Sequence, residues 1–249
     1  MDAVFLSDLH LKSLEERNGK ILLRFLTSLE ERPGKPPTIF LLGDIFDLWI
    51  SGHQVFLRRY ETLLASLKRL ADRGAQIVYF EGNHDMHLAI YWEKHLGADV
   101  RTRPGLFQVG GLRIRCEHGD EINRDDTSYL KLRAFLRHPI MEKMAHVLPG
   151  RFLDALGNRW SKHSRKRSSV ERAERESRIR EMLRRHAETV WEEDPFDAIV
   201  SGHMHVKDDW SFEKNRRSVR AINLGSWFET REILILENGR LHWRNLDPE

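Results

Sequence analysis

Five short polar clusters, spread from residue 8 to residue 205, carry the side chains that hold hard or borderline metal ions. They are Asp8-Leu9-His10, Gly43-Asp44, Gly82-Asn83-His84-Asp85, His118-Gly119-Asp120 and Gly202-His203-Met204-His205. Singly, each is weak: an Asp-x-His is usually a solvated strand end, Gly-Asp an ordinary turn, and Asp85 reads equally well as the cap of a following helix. Together they offer aspartates, an asparagine and four or five imidazoles, with no thiolate, a donor set that suits Mn, Fe or Zn better than a soft metal. A carboxylate such as Asp44 can bind two ions at once. Ions held about 3.5–4 Å apart activate a water for in-line attack on phosphorus and absorb charge on the phosphoryl oxygens. Asn83 would add a neutral oxygen, which leaves room for an anionic substrate.

Such clusters need a scaffold that gathers them, and each follows directly on a predicted strand. The strands read over 3–6, 38–42, 76–80, 112–116 and 197–200, with the run at 38–42 wholly apolar or β-branched. In open α/β sheets the crevice beyond the carboxyl ends of the strands is where ligands bind, so the clusters should converge there. Ile21, Leu22, Phe25, Leu26 and Leu29 recur at helical spacing before Pro33-Gly34, and Phe56, Tyr60, Leu63, Leu64, Leu67 and Leu70 outline a second helix ending near Gly74. Gly110-Gly111 between two short β runs signals a hairpin, and further strands read over 218–224, 233–236 and 241–243. From about 127 to 192 the pattern is helical, broken by Pro139 and Pro149-Gly150. The expectation is one α/β domain over residues 1–249, layered β-sheets flanked by helices, with a helical insertion, a lid, at about 127–192.

Composition removes several classes. With a single cysteine, Cys116, the 249-residue chain has no disulfide framework and no cysteine-rich zinc module. Cys116 itself reads as a small buried hydrophobe. No apolar run approaches a membrane span, and the first residues lack the basic and apolar regions of a signal peptide, which points to the cytoplasm. Net charge is +3, but unevenly placed: between Lys131 and Arg185 stand sixteen Lys and Arg against six Asp and Glu. A basic block in an otherwise acidic chain suggests an anionic partner, although Glu171, Arg172, Glu174, Arg175 and Glu176 also fit a solvated helix face laced with ion pairs.

The ordered set D-x-H, G-D, G-N-H-D, H-G and G-H-x-H resembles the calcineurin-like metallophosphoesterase superfamily over most of the chain. The resemblance implies two divalent cations, Mn²⁺ first, with Fe or Zn as alternatives. It assigns Asp8, His10 and His205 to one ion and Asn83, His118 and His203 to the other, with Asp44 bridging, His84 facing the substrate phosphate and Asp85 orienting it. A narrower signature, Gly43-Asp44-Ile45-Phe46-Asp47-Leu48-Trp49, is similar to that of the UDP-2,3-diacylglucosamine hydrolases of lipid A synthesis, and His118-Gly119-Asp120 followed by Asp125-Asp126 and Tyr129 agrees with it. These enzymes often carry arginine where this chain has His84. The implied reaction is pyrophosphate cleavage of a UDP-linked diacyl sugar to UMP and a lipid monosaccharide phosphate, with substrate contacts from Asp126, Ser161, Lys162 and Lys166.

The insertion fits such a substrate. Leu130, Phe135, Leu136, Ile140, Met141, Met144, Val147, Leu148, Phe152, Leu153, Leu156 and Trp160 form an apolar stripe, flanked by Arg133, Arg137, Lys143, Arg151 and Arg159. The ordinary reading of the stripe is core packed on the sheet. The sharper one is an acyl pocket and a peripheral contact with the cytoplasmic face of the inner membrane. Two alternatives stay open: a phosphodiesterase or nuclease on the same core, whose nucleic-acid binding would fall steeply with salt and which the apolar stripe disfavours, and a non-enzymatic scaffold, which seven intact ligand positions disfavour.

Overall fold

The computed structural model describes residues 1–150 and 169–247. Its strands are β1 (Ala3–Leu6), β2 (Thr38–Leu41), β3 (Trp49–Ile50), β4 (Ile77–Phe80), β5 (Asp85–Met86), β6 (Asp99–Arg101), β7 (Gly105–Val109), β8 (Leu112–Cys116), β9 (Ala198–Ser201), β10 (Asp208–Lys214), β11 (Arg217–Asn223), β12 (Glu232–Glu237) and β13 (Arg240–Asn245). Its helices are α1 (Arg17–Glu31), α2 (Gln54–Arg59), α3 (Glu61–Asp72), the short α4 (Ala89–Tyr91), which runs on as a π-helical turn over Trp92–Leu96, α5 (Thr127–Leu136), α6 (Pro139–Val147) and α7 (Ser169–Glu193).

Two sheets carry the molecule, one ordered β13-β12-β1-β2-β4-β6 and the other β10-β11-β9-β8-β7. In the first, β1, β2 and β4 run parallel in a register that pairs Leu6 with Leu41 and Leu41 with Tyr79, so the three strands end at one level. In the second, β8 and β9 are parallel with Cys116 opposite Val200, and they end together too. Both inner faces are apolar, and Phe5, Phe40, Val78 and Phe80 meet Ile114, Cys116, Val200 and Ile222 in one buried layer. Phe5 and Phe40 stack with ring centres 4.8 Å apart. Truncating a buried phenylalanine here would cost about 3–5 kcal/mol, enough to fix the spacing of the two sheets.

The outer face of the first sheet is covered by α1 and α3. The periodic residues of α1 are buried as their spacing predicts, and the helix stops ahead of Pro33-Gly34. The second predicted helix is two, α2 and α3, broken at Tyr60, whose hydroxyl donates to the Leu11 carbonyl at 2.6 Å. Trp49, Tyr60, Phe46 and Trp92 form a fully buried aromatic cluster beneath the Asp44 turn.

The helical stretch divides into two parts of different character. The second half of α7 puts Ala187, Val190 and Trp191 against Phe196, Ile199, Phe212 and Val219, so it is the layer covering the second sheet and no part of a lid. By contrast α5 buries no residue and α6 only Ala145. The described part of the apolar stripe is divided: Leu130, Leu136, Met141 and Leu148 are half-buried, whereas the core reading fails for Phe135, Ile140, Met144 and Val147, which are exposed. What ties this hairpin down is polar. His87 Nε2 bonds the Leu136 carbonyl at 3.1 Å, His53 Nε2 bonds the Ala145 carbonyl at 2.6 Å, and His146 meets the Ser51 hydroxyl. Among the described residues no helix is long and apolar enough to cross a membrane.

Candidate metal centre

The parallel registers deliver the predicted turns to one rim. The Asp8 turn follows β1, the Asp44 turn β2 and the 82–85 turn β4, while His118 follows β8 and the 203–205 turn β9. Backbone hydrogen bonds lock neighbouring turns together: Asp8 N–H to the Gly43 carbonyl, His10 N–H to the Asp44 carbonyl, and Gly202 N–H to the His118 carbonyl. Asp8, His10, Asp44, His203 and His205 all take positive φ, between 47° and 66°, a conformation that a non-glycine residue adopts only when its surroundings impose it. Gly82 lies against the Asp44 carboxylate so closely that a β-carbon there would collide with it.

Asp8, His10, Asp44 and His205 gather into one group of possible metal ligands, and Asp44, His118 and His203 into another. Asp44 belongs to both. Its Oδ2 lies 3.9 Å from His10 Nε2 and its Oδ1 lies 3.9 Å from His118 Nε2. Asn83 Oδ1 stands 3.1 Å from His203 Nδ1 and 3.5 Å from His118 Nε2, which puts it with the second group. All seven predicted ligand positions thus come together, in the two sets the motifs suggested.

The details fit cations. Asp8 Oδ1 is buried and accepts no hydrogen bond, although it lies 3.1 Å from His205 Nε2; that ring nitrogen is in turn 3.1 Å from His10 Nε2. An orphaned carboxylate oxygen facing two imidazole nitrogens is costly without a positive charge between them. His118 bonds the Leu42 carbonyl through Nδ1 at 2.7 Å, which turns its Nε2 lone pair toward the site, the usual outer contact of a metal-ligating histidine. Burial works against charge on Asp44, but the imidazoles of His118, His10, His84 and His203 outweigh it and hold the carboxyl far below the ordinary range. Burial, joined by the charge of His118, brings His203 down to about 4, and burial lowers His10 as well. Deprotonated carboxylates and neutral rings are the ligand forms; against burial, the Asp44, Asp120 and Asp8 charges raise His118, and the Asp8 hydrogen bond and charge raise His205, so on these two a cation would displace a proton.

One expected role is corrected. Asp85 does not orient His84. Its Oδ1 accepts the N–H groups of Gly82 at 2.7 Å and Asp44 at 3.1 Å, and its Oδ2 accepts the Ile45 N–H at 2.8 Å and the Tyr79 hydroxyl at 2.6 Å. Burial and the nearby Asp44 charge push its carboxyl up to about 7, against the bonds from the Tyr79 hydroxyl and the Gly82 N–H. Asp85 is the buried tie between the 82–85 turn and the Asp44 turn. The His84 ring is held by the Asp47 carbonyl, 2.8 Å from Nδ1, and it meets His10 edge to face. Asp47, His10 and His84 also cluster closely enough to share a cation.

Of the expected substrate contacts, Ser161, Lys162 and Lys166 lie outside the described residues. Asp126 caps α5, its Oδ1 accepting the Tyr129 N–H at 3.0 Å, and is exposed. The motifs did not foretell the clamp beside it: Arg137 donates to the carbonyls of Thr102, Glu81 and Gly82, and Arg133 to Asp120 Oδ2 at 2.5 Å. Arginine at helical spacing on a basic stretch was the one signal available.

A two-sheet sandwich with Asp and His ligands at the shared rim defines a class of metal-dependent phosphoester hydrolases, and the calcineurin-like phosphoesterase profile matches residues 1–207; the chain belongs to this family. It is similar to the UDP-2,3-diacylglucosamine hydrolase of Pseudomonas aeruginosa, 27% identical over 229 residues and 91% of each chain. It is likewise similar to that of Stenotrophomonas maltophilia, 26% identical over 243 residues and 96% of each chain. Among solved structures it is similar to an archaeal phosphodiesterase, with a TM-score of 0.47 and 13% identity over 98% of this chain and 99% of that one.

Proposed function

We propose that the protein is a two-metal hydrolase cleaving the pyrophosphate of UDP-2,3-diacylglucosamine to UMP and 2,3-diacylglucosamine 1-phosphate, with Mn²⁺ the favoured ion. The observation that carries the reading is Asp44, whose two oxygens face two separate ligand groups. Divalent cations held there would supply Lewis acidity toward the phosphoryl oxygens and a nucleophilic water at neutral pH. The chain's own part is positional. Asp8, His10 and His205 define one pole, Asn83, His118 and His203 the other, and the His84 N–H fixes Asp44 Oδ1 at 3.0 Å. The His84 ring, anchored on Asp47, is free to use Nε2 toward a phosphoryl or leaving oxygen.

Two further observations favour an acylated substrate. The relatives in Pseudomonas aeruginosa and Stenotrophomonas maltophilia are hydrolases of such a substrate, and α5–α6 presents Leu132, Phe135, Ile140, Met144 and Val147 to solvent. Exposed apolar side chains carried on one hairpin favour a ligand or membrane contact, and Tyr129 of α5 lies 5.8 Å from the His203 ring. The same surface supports peripheral attachment at the cytoplasmic face of the inner membrane. We read the described α5–α6 hairpin as the lid of a single domain. The test is release of UMP from the lipid substrate in detergent micelles, with Mn²⁺ and with EDTA. Metal-dependent UMP release is expected; metal-dependent cleavage of a generic phosphodiester without it would refute the lipid substrate while keeping the two-metal site.

A further inference from the structure

The last turn to reach the metal centre brings an aromatic ring instead of a ligand. Trp227 is buried, its N–H donating to the Asp8 carbonyl at 3.3 Å and its indole N–H to the Glu232 carbonyl at 3.1 Å. Asn18 Nδ2 donates to the Trp227 carbonyl, and Ser226 accepts the next three N–H groups: Phe228 on its hydroxyl, Glu229 and Thr230 on its carbonyl. Pinned in this way, the turn lays the Phe228 ring nearly parallel to that of His10, 14° between planes and 5.6 Å between centres, while 53% of the residue stays exposed. The buried neighbour, Trp227, supplies the apolar anchor, so the sandwich does not need Phe228 for its core.

We propose that Phe228 is a specificity-determining residue, a platform on which the base of a nucleotidyl substrate stacks. The inference rests on the nucleoside diphosphate sugar reading given above. Phe228 adjoins His10, in the first ligand group, whereas Tyr129, near the start of α5, lies beside His203, in the second. A pyrophosphate diester whose phosphorus sits beside Asp44 sends its two organic ends away in different directions. The acylated sugar finds its surface on α5–α6. The nucleoside, one ribose from the phosphate, then falls on the Phe228 side, where a flat π-face is the contact that a base uses without need of hydrogen-bond readout.

The experiment is a competition assay on the full-length Mn²⁺-loaded protein, with 5′-UMP and orthophosphate as inhibitors of a chromogenic phosphodiester. The wild type is compared with Phe228→Ala, Phe228→Leu and Phe228→Trp. Stacking predicts that Ala and Leu weaken UMP about tenfold, the loss of one base–aromatic stack, while orthophosphate binds as before and Trp retains the UMP affinity. Leu keeps the apolar bulk, so it guards against a packing defect in Ala. Undiminished UMP affinity in both Ala and Leu, or equal weakening of UMP and orthophosphate, overturns the platform. A wild type that holds UMP no tighter than orthophosphate instead overturns the nucleotide reading on which it rests.

Discussion

Replacing Asp85 by asparagine separates a buried tie from a catalytic partner. The carboxylate accepts two N–H groups on Oδ1 and one N–H plus the Tyr79 hydroxyl on Oδ2. An asparagine amide has one acceptor oxygen, so its NH₂ must face one pair. The cheaper orientation keeps Gly82 and Asp44 on the oxygen and lets the Tyr79 hydroxyl turn round to accept. The Ile45 N–H is then left buried without a partner. Above pH 7, where the raised carboxyl is ionised, a lost bond to a charged group costs about 1.5–3 kcal/mol and the orphaned donor about 1–3 more, so Asp85→Asn should destabilise by about 3–5 kcal/mol at pH 8–9. For a chain of this length that is roughly a 10 °C fall in Tm. Urea unfolding of the metal-free protein measures it, with Tyr79→Phe as the smaller companion at about 1–2 kcal/mol. A stability change below about 1 kcal/mol together with lost turnover would refute the reasoning and restore Asp85 as an aid to His84.

Asp44→Ala should remove both cations together, whereas His84→Ala should lower turnover and keep the metal; elemental analysis of the purified variants distinguishes the two. On α5–α6, Phe135→Asp and Val147→Asp should leave stability within about 0.5 kcal/mol, since both side chains are exposed, yet slow the acylated substrate more than a soluble phosphodiester. Asp209 provides a pH test. Burial would raise its carboxyl, but Arg220 on both oxygens and Trp243 Nε1 outweigh it and hold the carboxyl below its ordinary value. A lowered acid stabilises the fold above its unfolded pKa, near 3.8, and that stability is lost as pH falls through the lower folded value. Asp209→Asn should therefore cost about 1 kcal/mol at pH 7 and little at pH 2–3, as urea titrations at both would show.

The ligands were legible because each occupies the first turn after an apolar strand, and parallel register does the rest. Asp85 differs from the expectation for a local reason: it is next to His84 in sequence, but its carboxyl turns inward onto the Gly82, Asp44 and Ile45 N–H groups while the His84 ring bonds the Asp47 carbonyl. β10 escaped notice because Asp208, Asp209, Ser211, Glu213 and Lys214 are poor strand formers. Its hairpin to β11 turns on Asn215-Arg216, both at positive φ, without the glycine that usually announces such a turn. The exposure of Phe135 and Val147 could not be read at all. A helical stripe looks the same whether it packs on a sheet or faces solvent; the distinction lies in where the chain sets the helix down. Phe228 was invisible for a similar reason, being brought to His10 across 218 positions by the return of the chain past Asp8.

The five left-handed residues at the centre have a consequence for the protein's lifetime in a cell. Each such conformation costs on the order of 1–2 kcal/mol, and the sum is comparable with the whole net stability of a typical domain, about 5–15 kcal/mol. Ions bound to those side chains return part of that energy to the folded state alone. Metal shortage would then thin the supply of intact molecules as well as idling them, because stripped copies open more often and are degraded sooner. Pulse-chase half-lives in chelator-treated and metal-replete cells should differ for the natural chain, and converge for an Asp44→Ala variant that can no longer sense the difference.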